Sequence, residues 1–150
     1  MYKKEYVRAK ATFDSAMQTQ KKLTDGTDSM SVASLTYCLG VAYYYLNDAS
    51  TAKLLFQECM HIQLKFAKGG NNETNSFIAS KSFTWMGRVY GKMNKPQSAL
   101  EQYLYALQVC KKNKSVIDDY RVVVILLHSI GKLYEDDKVD QPDMSLKCKY

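Results

Sequence analysis

Two prolines and seven glycines in 150 residues leave too little punctuation for an all-β chain of many short strands and tight turns. Long apolar runs are missing too. The longest, Val122 to Leu127, is six residues, far below the roughly 18 or more that a membrane-spanning helix needs. The N-terminus, Met1-Tyr2-Lys3-Lys4-Glu5-Tyr6-Val7-Arg8, is too charged for the apolar core of a signal peptide, so a cytoplasmic protein without a membrane span is expected. The four cysteines, Cys38, Cys59, Cys110 and Cys148, lie far apart with no C-x-x-C pair. That spacing excludes a zinc knuckle or a thioredoxin motif, and scattered cysteines in a non-secreted chain read as reduced thiols.

Chemistry-bearing patterns are equally scarce. There are two histidines, His61 and His128; each reads as a lone structural or surface residue, and His128 has no Cys or Asp at the i+3 or i+4 ligand spacing. The acidic stretch Glu135 to Asp140 is not a calcium loop. Counted from Asp136, the sixth position is Gln141 where glycine is needed, and the twelfth is Lys147 where glutamate is needed. No phosphate-binding glycine loop, nucleophile elbow or zinc-protease motif is present. The expectation is therefore a protein that is not an enzyme and takes neither metal nor cofactor.

What the chain does have is internal repetition. Three segments share an apolar residue, glycine, two residues and tyrosine: Leu39-Gly40-Val41-Ala42-Tyr43, Met86-Gly87-Arg88-Val89-Tyr90 and Ile130-Gly131-Lys132-Leu133-Tyr134. Each closes a stretch of helical period, with Leu35, Leu39 and Ala42 on one face, then Phe83, Met86 and Tyr90, then Leu127, Ile130 and Tyr134. Glycine inside a helix costs about 1 kcal/mol relative to alanine. Its recurrence at one phase predicts a neighbouring helix too close for a Cβ. A second type of helix follows, with a small–large–small stripe at i, i+4, i+7: Ala52, Phe56 and Cys59, then Ala99, Tyr103 and Ala106. The same stripe stands near the N-terminus as Ala9, Phe13 and Ala16, with no glycine helix before it.

Punctuation agrees with this division. Asp48 is a good N-cap, Pro96 and Pro142 stand where helices should begin, and Ser145 takes the small-residue slot of the third unit after a two-residue insertion. Polar breaks fall at 24–28, 68–72 and 113–115. Helices are expected over 3–23, 30–46, 49–68, 75–93, 96–113, 116–136 and 143–150. The β-branched run Arg121 to Leu127 could extend as a strand, but the helical period continues through Ile130 and Tyr134, so it reads as helix. One array results: a lone second-type helix at 3–23, repeats at 30–68 and 75–113, and a partial repeat at 116–150, as expected of a fragment of a longer array.

These residues resemble the tetratricopeptide repeat, W-x2-L-G-x2-Y followed by A-x3-F and often proline. Gly40, Gly87 and Gly131 match its glycine, Tyr43, Tyr90 and Tyr134 its tyrosine, and Ala52/Phe56 and Ala99/Tyr103 its second helix. Thr36, Phe83 and Leu127 stand in the tryptophan slot. Spacings of 47 residues from Gly40 to Gly87 and 44 from Gly87 to Gly131 are similar to the long-repeat branch that includes kinesin light chains and polarity adaptors. The resemblance implies an all-α fold, a solenoid of antiparallel helical hairpins wound into an α-α superhelix, with first helices lining a concave groove.

Carried over position by position, the groove residues are Tyr37, Val41 and Tyr44; Lys81, Thr84 and Arg88; and Ile125, His128 and Lys132. Tyrosines give contact area at low entropic cost and Arg88 can fork onto a carboxylate. The charge is uneven: residues 1–114 carry 16 Lys and Arg against 8 Asp and Glu, and residues 115–150 carry 5 against 7. The implied function is a protein-interaction scaffold, or adaptor, holding an acidic or mixed peptide or a helix of another protein. An accessory region of a larger signalling or enzymatic protein is the alternative, and single-stranded nucleic-acid binding by the basic, tyrosine-rich face is a weaker one.

Overall fold

The computed structural model describes residues 2–67, 72–112 and 120–136, and these residues are α-helical apart from short connections. In chain order the helices are α1 (Tyr2–Leu23), α2 (Met30–Tyr45), α3 (Ala49–Ala67), α4 (Asn72–Lys92), α5 (Pro96–Lys112) and α6 (Tyr120–Glu135). The expected all-α class holds, and the β-branched run lies inside α6. The helix expected over 143–150 lies outside the described residues.

Local chemistry sets the ends. Ser29, with extended φ −148° and ψ 166°, caps α2 by accepting a hydrogen bond from the Val32 N–H. Asp48 caps α3, accepting from the Thr51 N–H at 3.1 Å and the Thr51 hydroxyl at 2.7 Å. Pro96 opens α5, where its missing N–H costs nothing. Two asparagines stop the first-type helices by adopting left-handed backbone, Asn47 at φ 63° and Asn94 at φ 56°. The Asn47 N–H reaches the Tyr44 carbonyl and the Asp48 N–H reaches Tyr43; in the next hairpin the Asn94 N–H reaches Gly91 and the Lys95 N–H reaches Tyr90. The same turn is built twice.

Each helix packs on its neighbours in sequence, α1 on α2, α2 on α3, α3 on α4, α4 on α5 and α5 on α6. The first-type helices also touch, α2 with α4 and α4 with α6. Helices α2 and α3 run back along each other. Gly40 meets the Phe56 ring near the turn, and farther down the Cys59 thiol donates to the Ala33 carbonyl at 3.3 Å. The second-type stripes are sealed: Ala52, Phe56 and Cys59 are 0% exposed, and Ala99, Tyr103 and Ala106 are at most 6%. The close approach expected at the glycines occurs at two of the three. A Cβ on Gly40 would lie 2.9 Å from the Phe56 ring, and one on Gly87 would overlap the Tyr103 ring. At Gly131 no described residue lies within 4 Å of such a Cβ.

The core is distributed along the row as three clusters. One gathers Val32, Ala33, Cys59 and Ile62 with Met17 and Tyr37; one gathers Ala52, Phe56, Met86 and Val89; one gathers Ala99, Tyr103, Ala106, Leu107, Cys110 and Leu126. One contact repeats between successive units. The Lys10 ammonium lies 5.2 Å from the Tyr43 ring centroid, and that of Lys53 lies 5.5 Å from Tyr90. In this contact α1 bears on α2 as α3 bears on α4.

One core assignment needs correcting. Leu127 was expected on the inner face of its helix, yet it is 52% exposed while Leu126 is 0%. Among the described residues α6 is held on one side, where Val122, Val123, Leu126, Ile130 and Leu133 pack against the α5 cluster. No described helix packs on the other flank, where Leu127 stands.

Candidate functional site

The side chains that carry interaction chemistry converge where the last turns of α2 and α4 lie side by side. Trp85, Arg88 and Lys92 stand three and four residues apart on α4, which places them on one face. The Trp85 ring meets Tyr44 at 5.3 Å and Tyr45 at 5.8 Å, both edge to face, and lies nearly parallel to Phe56 at 6.0 Å. Tyr6 of α1 stacks on Tyr45 at 4.5 Å with an interplanar angle of 10°. Tyr37 meets Phe56 edge-on at 5.8 Å. Rings from four helices thus brace one another, each pair contributing about 0.5–1.5 kcal/mol beyond burial.

Two cations sit on these rings. The Arg88 guanidinium carbon is 4.6 Å from the Trp85 centroid, and the Lys92 ammonium is 3.8 Å from that of Tyr44. Lys92 also donates to the Tyr44 carbonyl at 2.6 Å and to the Asn47 side-chain oxygen at 3.1 Å. It therefore ties α4 to the C-terminal end of α2, where the helix dipole favours a cation. Burial pushes the Lys92 ammonium below the usual lysine range and the Tyr44 phenol above the usual tyrosine range. Burial also pushes the Tyr37 phenol up to about 12, although the neighbouring Trp85 indole and Arg88 charge pull the other way. Neither phenol ionises near neutral pH.

Of the nine residues that the sequence places in the groove, the structure brings Tyr37, Val41, Tyr44 and Arg88 into this neighbourhood. Val41 is half-buried against the Phe56 cluster. Lys81 is half-buried earlier on α4. Thr84 is 7% exposed, and its hydroxyl donates to the Ser80 carbonyl at 2.7 Å, so it offers a partner little. Ile125, His128 and Lys132 form a second patch on α6, all exposed. His128 and Lys132, with Gly131, Glu135 and Asp136, line an open depression of about 430 Å³.

Trp85, Lys92, Tyr45 and Tyr6 escaped the register-based reading. Trp85 is the single tryptophan of the chain, and its spacing to Arg88 and Lys92 is a cation–aromatic pattern on one helical face. That pattern is the signal that could have found two of them.

The described residues offer no preformed metal site. They contain no group of three or more His, Cys, Asp or Glu side chains able to hold a metal ion. No described helix is long and apolar enough to cross a membrane. Cys38, Cys59 and Cys110 are unpaired thiols, and burial raises Cys59 to about 11; Cys148 lies outside the described residues. Compared with known proteins, the chain matches no family model, no curated protein and no solved structure.

Proposed function

We propose that this chain is a tetratricopeptide-like scaffold of the cytoplasm, a solenoid of helical hairpins that holds an acidic or mixed peptide segment of another protein along its first-type helices. The observation that carries the reading is the braced set Tyr44, Trp85, Arg88 and Lys92. Its rings are already fixed by one another and by Phe56, so a flexible segment that docks there meets a surface with little side-chain freedom left to lose. A guanidinium over an indole uses its face, and its planar N–H fork suits a carboxylate. The tyrosine and tryptophan edges supply apolar contact between the charges.

The test uses the chain's single tryptophan. Partners captured by the wild-type protein and lost on an Arg88→Glu, Lys132→Glu variant are mapped to peptides, and each peptide is titrated while Trp85 emission is followed. The expected result is a saturable change in emission for wild type, with affinity weakened by salt. A captured set identical for the two proteins, with no change in Trp85 emission, removes the assignment.

A further inference from the structure

Two described first-type helices have a flank covered by the helix that follows them in sequence. On α2 the covered residues are Ala33, Thr36 and Gly40, with Ala33 and Thr36 at 0% and 1% exposure. On α4, Ser80 is 0% exposed and Gly87 lies under the Tyr103 ring. The same register on α6 holds Val124, Leu127 and Gly131, and Tyr120 extends it by a turn. Tyr120, Val124 and Leu127 are 72%, 59% and 52% exposed, and no described residue lies within 4 Å of a Cβ on Gly131. This is a contiguous apolar flank without a described helix on it.

The other end of the row presents the matching half. Because Lys10 meets Tyr43 as Lys53 meets Tyr90, Ala9, Phe13 and Ala16 of α1 stand where α3 carries Ala52, Phe56 and Cys59. The α3 residues are sealed at 0% exposure, whereas Ala9, Phe13 and Ala16 are only half-buried. Within one chain α1 and α6 do not touch.

We infer that these two faces are halves of one interface: α1 of one copy docks on α6 of a second copy, head to tail, with Phe13 over Gly131 as Phe56 lies over Gly40. Charge favours this occupant. Docked in the sense of the α2–α3 hairpin, the start of α1, with exposed Lys3 and Lys4 against Glu5, comes beside the end of α6, with exposed Glu135 and Asp136 against Lys132, so a net positive end faces a net negative one. The chain's own following sequence suits the face less well. Asp143 and Lys147 stand 12 and 16 residues after Gly131, where the first two hairpins have alanine and an aromatic ring. A two-residue shift that brings Ser145 into the small slot leaves Lys149 in the ring slot. The interface is heterologous, so each added copy exposes a fresh face and the assembly grows with concentration.

Sedimentation velocity of the full chain over a concentration series tests this. Wild type is expected to gain mass with concentration, less so at high salt. Gly131→Leu, whose Cβ meets no described residue within 4 Å in the single chain, and Phe13→Ala are each expected to weaken self-association at least about tenfold. Circular dichroism checks that both variants keep wild-type helicity. Mixed, the two variants are expected to form a heterodimer and stop, because each supplies the face that the other lacks. A wild-type protein that stays monomeric overturns the proposal, and a lowered melting temperature for Gly131→Leu in that monomer identifies a segment of the same chain as the occupant. Association that survives Gly131→Leu, or variants that fail to pair on mixing, also overturns it.

Discussion

The ring of Tyr103 lies where a Cβ on Gly87 would stand, and Phe56 bears on Gly40 in the same way. A glycine in mid-helix sacrifices about 1 kcal/mol of helix propensity, and here the return is a ring packed against the backbone of the preceding helix. Because both rings are buried, at 0% and 6% exposure, neither can swing into solvent to admit a larger residue.

Gly87→Leu is therefore expected to destabilise the fold through overpacking by about 1–3 kcal/mol. At roughly 2–4 °C per kcal/mol for a chain of this size, the melting temperature should fall by several degrees. Gly91, one turn on in the same helix, has nothing within 4 Å of a Cβ. Gly91→Ala should leave the melting temperature unchanged or raise it slightly, since alanine is the better helix former. Equal effects from the two substitutions would show that the helix pairing around Gly87 is not as described.

Much of the fold was legible because the features that write it are local. Three glycine–tyrosine pairs in phase, capping Asp48 and Pro96, and polar breaks locate the described helices to within a few residues, because caps and periodicity act within a turn or two. The inner face of α6 was not legible. Leu126 and Leu127 are equally apolar, and which one is buried depends on α5 lying on one flank. The proposed binding surface divides the same way. Arg88 and Tyr44 follow from register, but the Trp85–Tyr44–Lys92 association joins helices some forty residues apart in sequence. The burial of Thr84 follows from a hydroxyl that turns back to the Ser80 carbonyl, an option serine and threonine always have in helices.

Asp48 gives a pH-dependent prediction. The Thr51 hydroxyl and N–H both donate to its carboxylate and hold its pKa below the usual range. A depressed folded pKa means that the stabilisation is present above the unfolded carboxylate value of about 4 and is lost as pH falls through the folded value. Asp48→Ala should cost about 1 kcal/mol at neutral pH. Chemical denaturation at stepped pH should show that difference shrinking in acid, and a constant difference would disprove the cap's titration.

Gln63 offers a route to a more stable protein. It is 3% exposed, and its amide nitrogen donates to the Cys59 sulfur at 3.3 Å while its carbonyl oxygen has no partner among the described residues. A buried acceptor left without a donor costs about 1–3 kcal/mol, whereas an apolar replacement of similar shape can be neutral or better. Gln63→Met, close in length and flexibility, is expected to raise the denaturation midpoint, and Gln63→Glu to lower it by placing a charge in the same site. A lowered midpoint for methionine would mean that the amide does more for stability than its single hydrogen bond, to Cys59 of the same helix, implies.

The proposed interaction surface is tested most directly through its charges. Arg88 lies over Trp85 on α4, and Lys132 lines the depression on α6. Both belong to first-type helices that touch one another, so an extended acidic segment could meet them in succession. Arg88→Glu with Lys132→Glu reverses both charges without entering the core, since Arg88 is half-buried and Lys132 exposed. Helicity by circular dichroism should be unchanged, while like-charge contact and the lost guanidinium–indole contact, about 0.5–1 kcal/mol at a partly exposed site, should abolish binding of an acidic peptide. Replacing Arg88 with lysine separates the two contributions. The charge remains but the planar fork is gone, so a carboxylate held by a bidentate pair should bind more weakly to Arg88→Lys than to wild type. Equal affinity for wild type, Arg88→Lys and the double reversal would move the binding site off these helices.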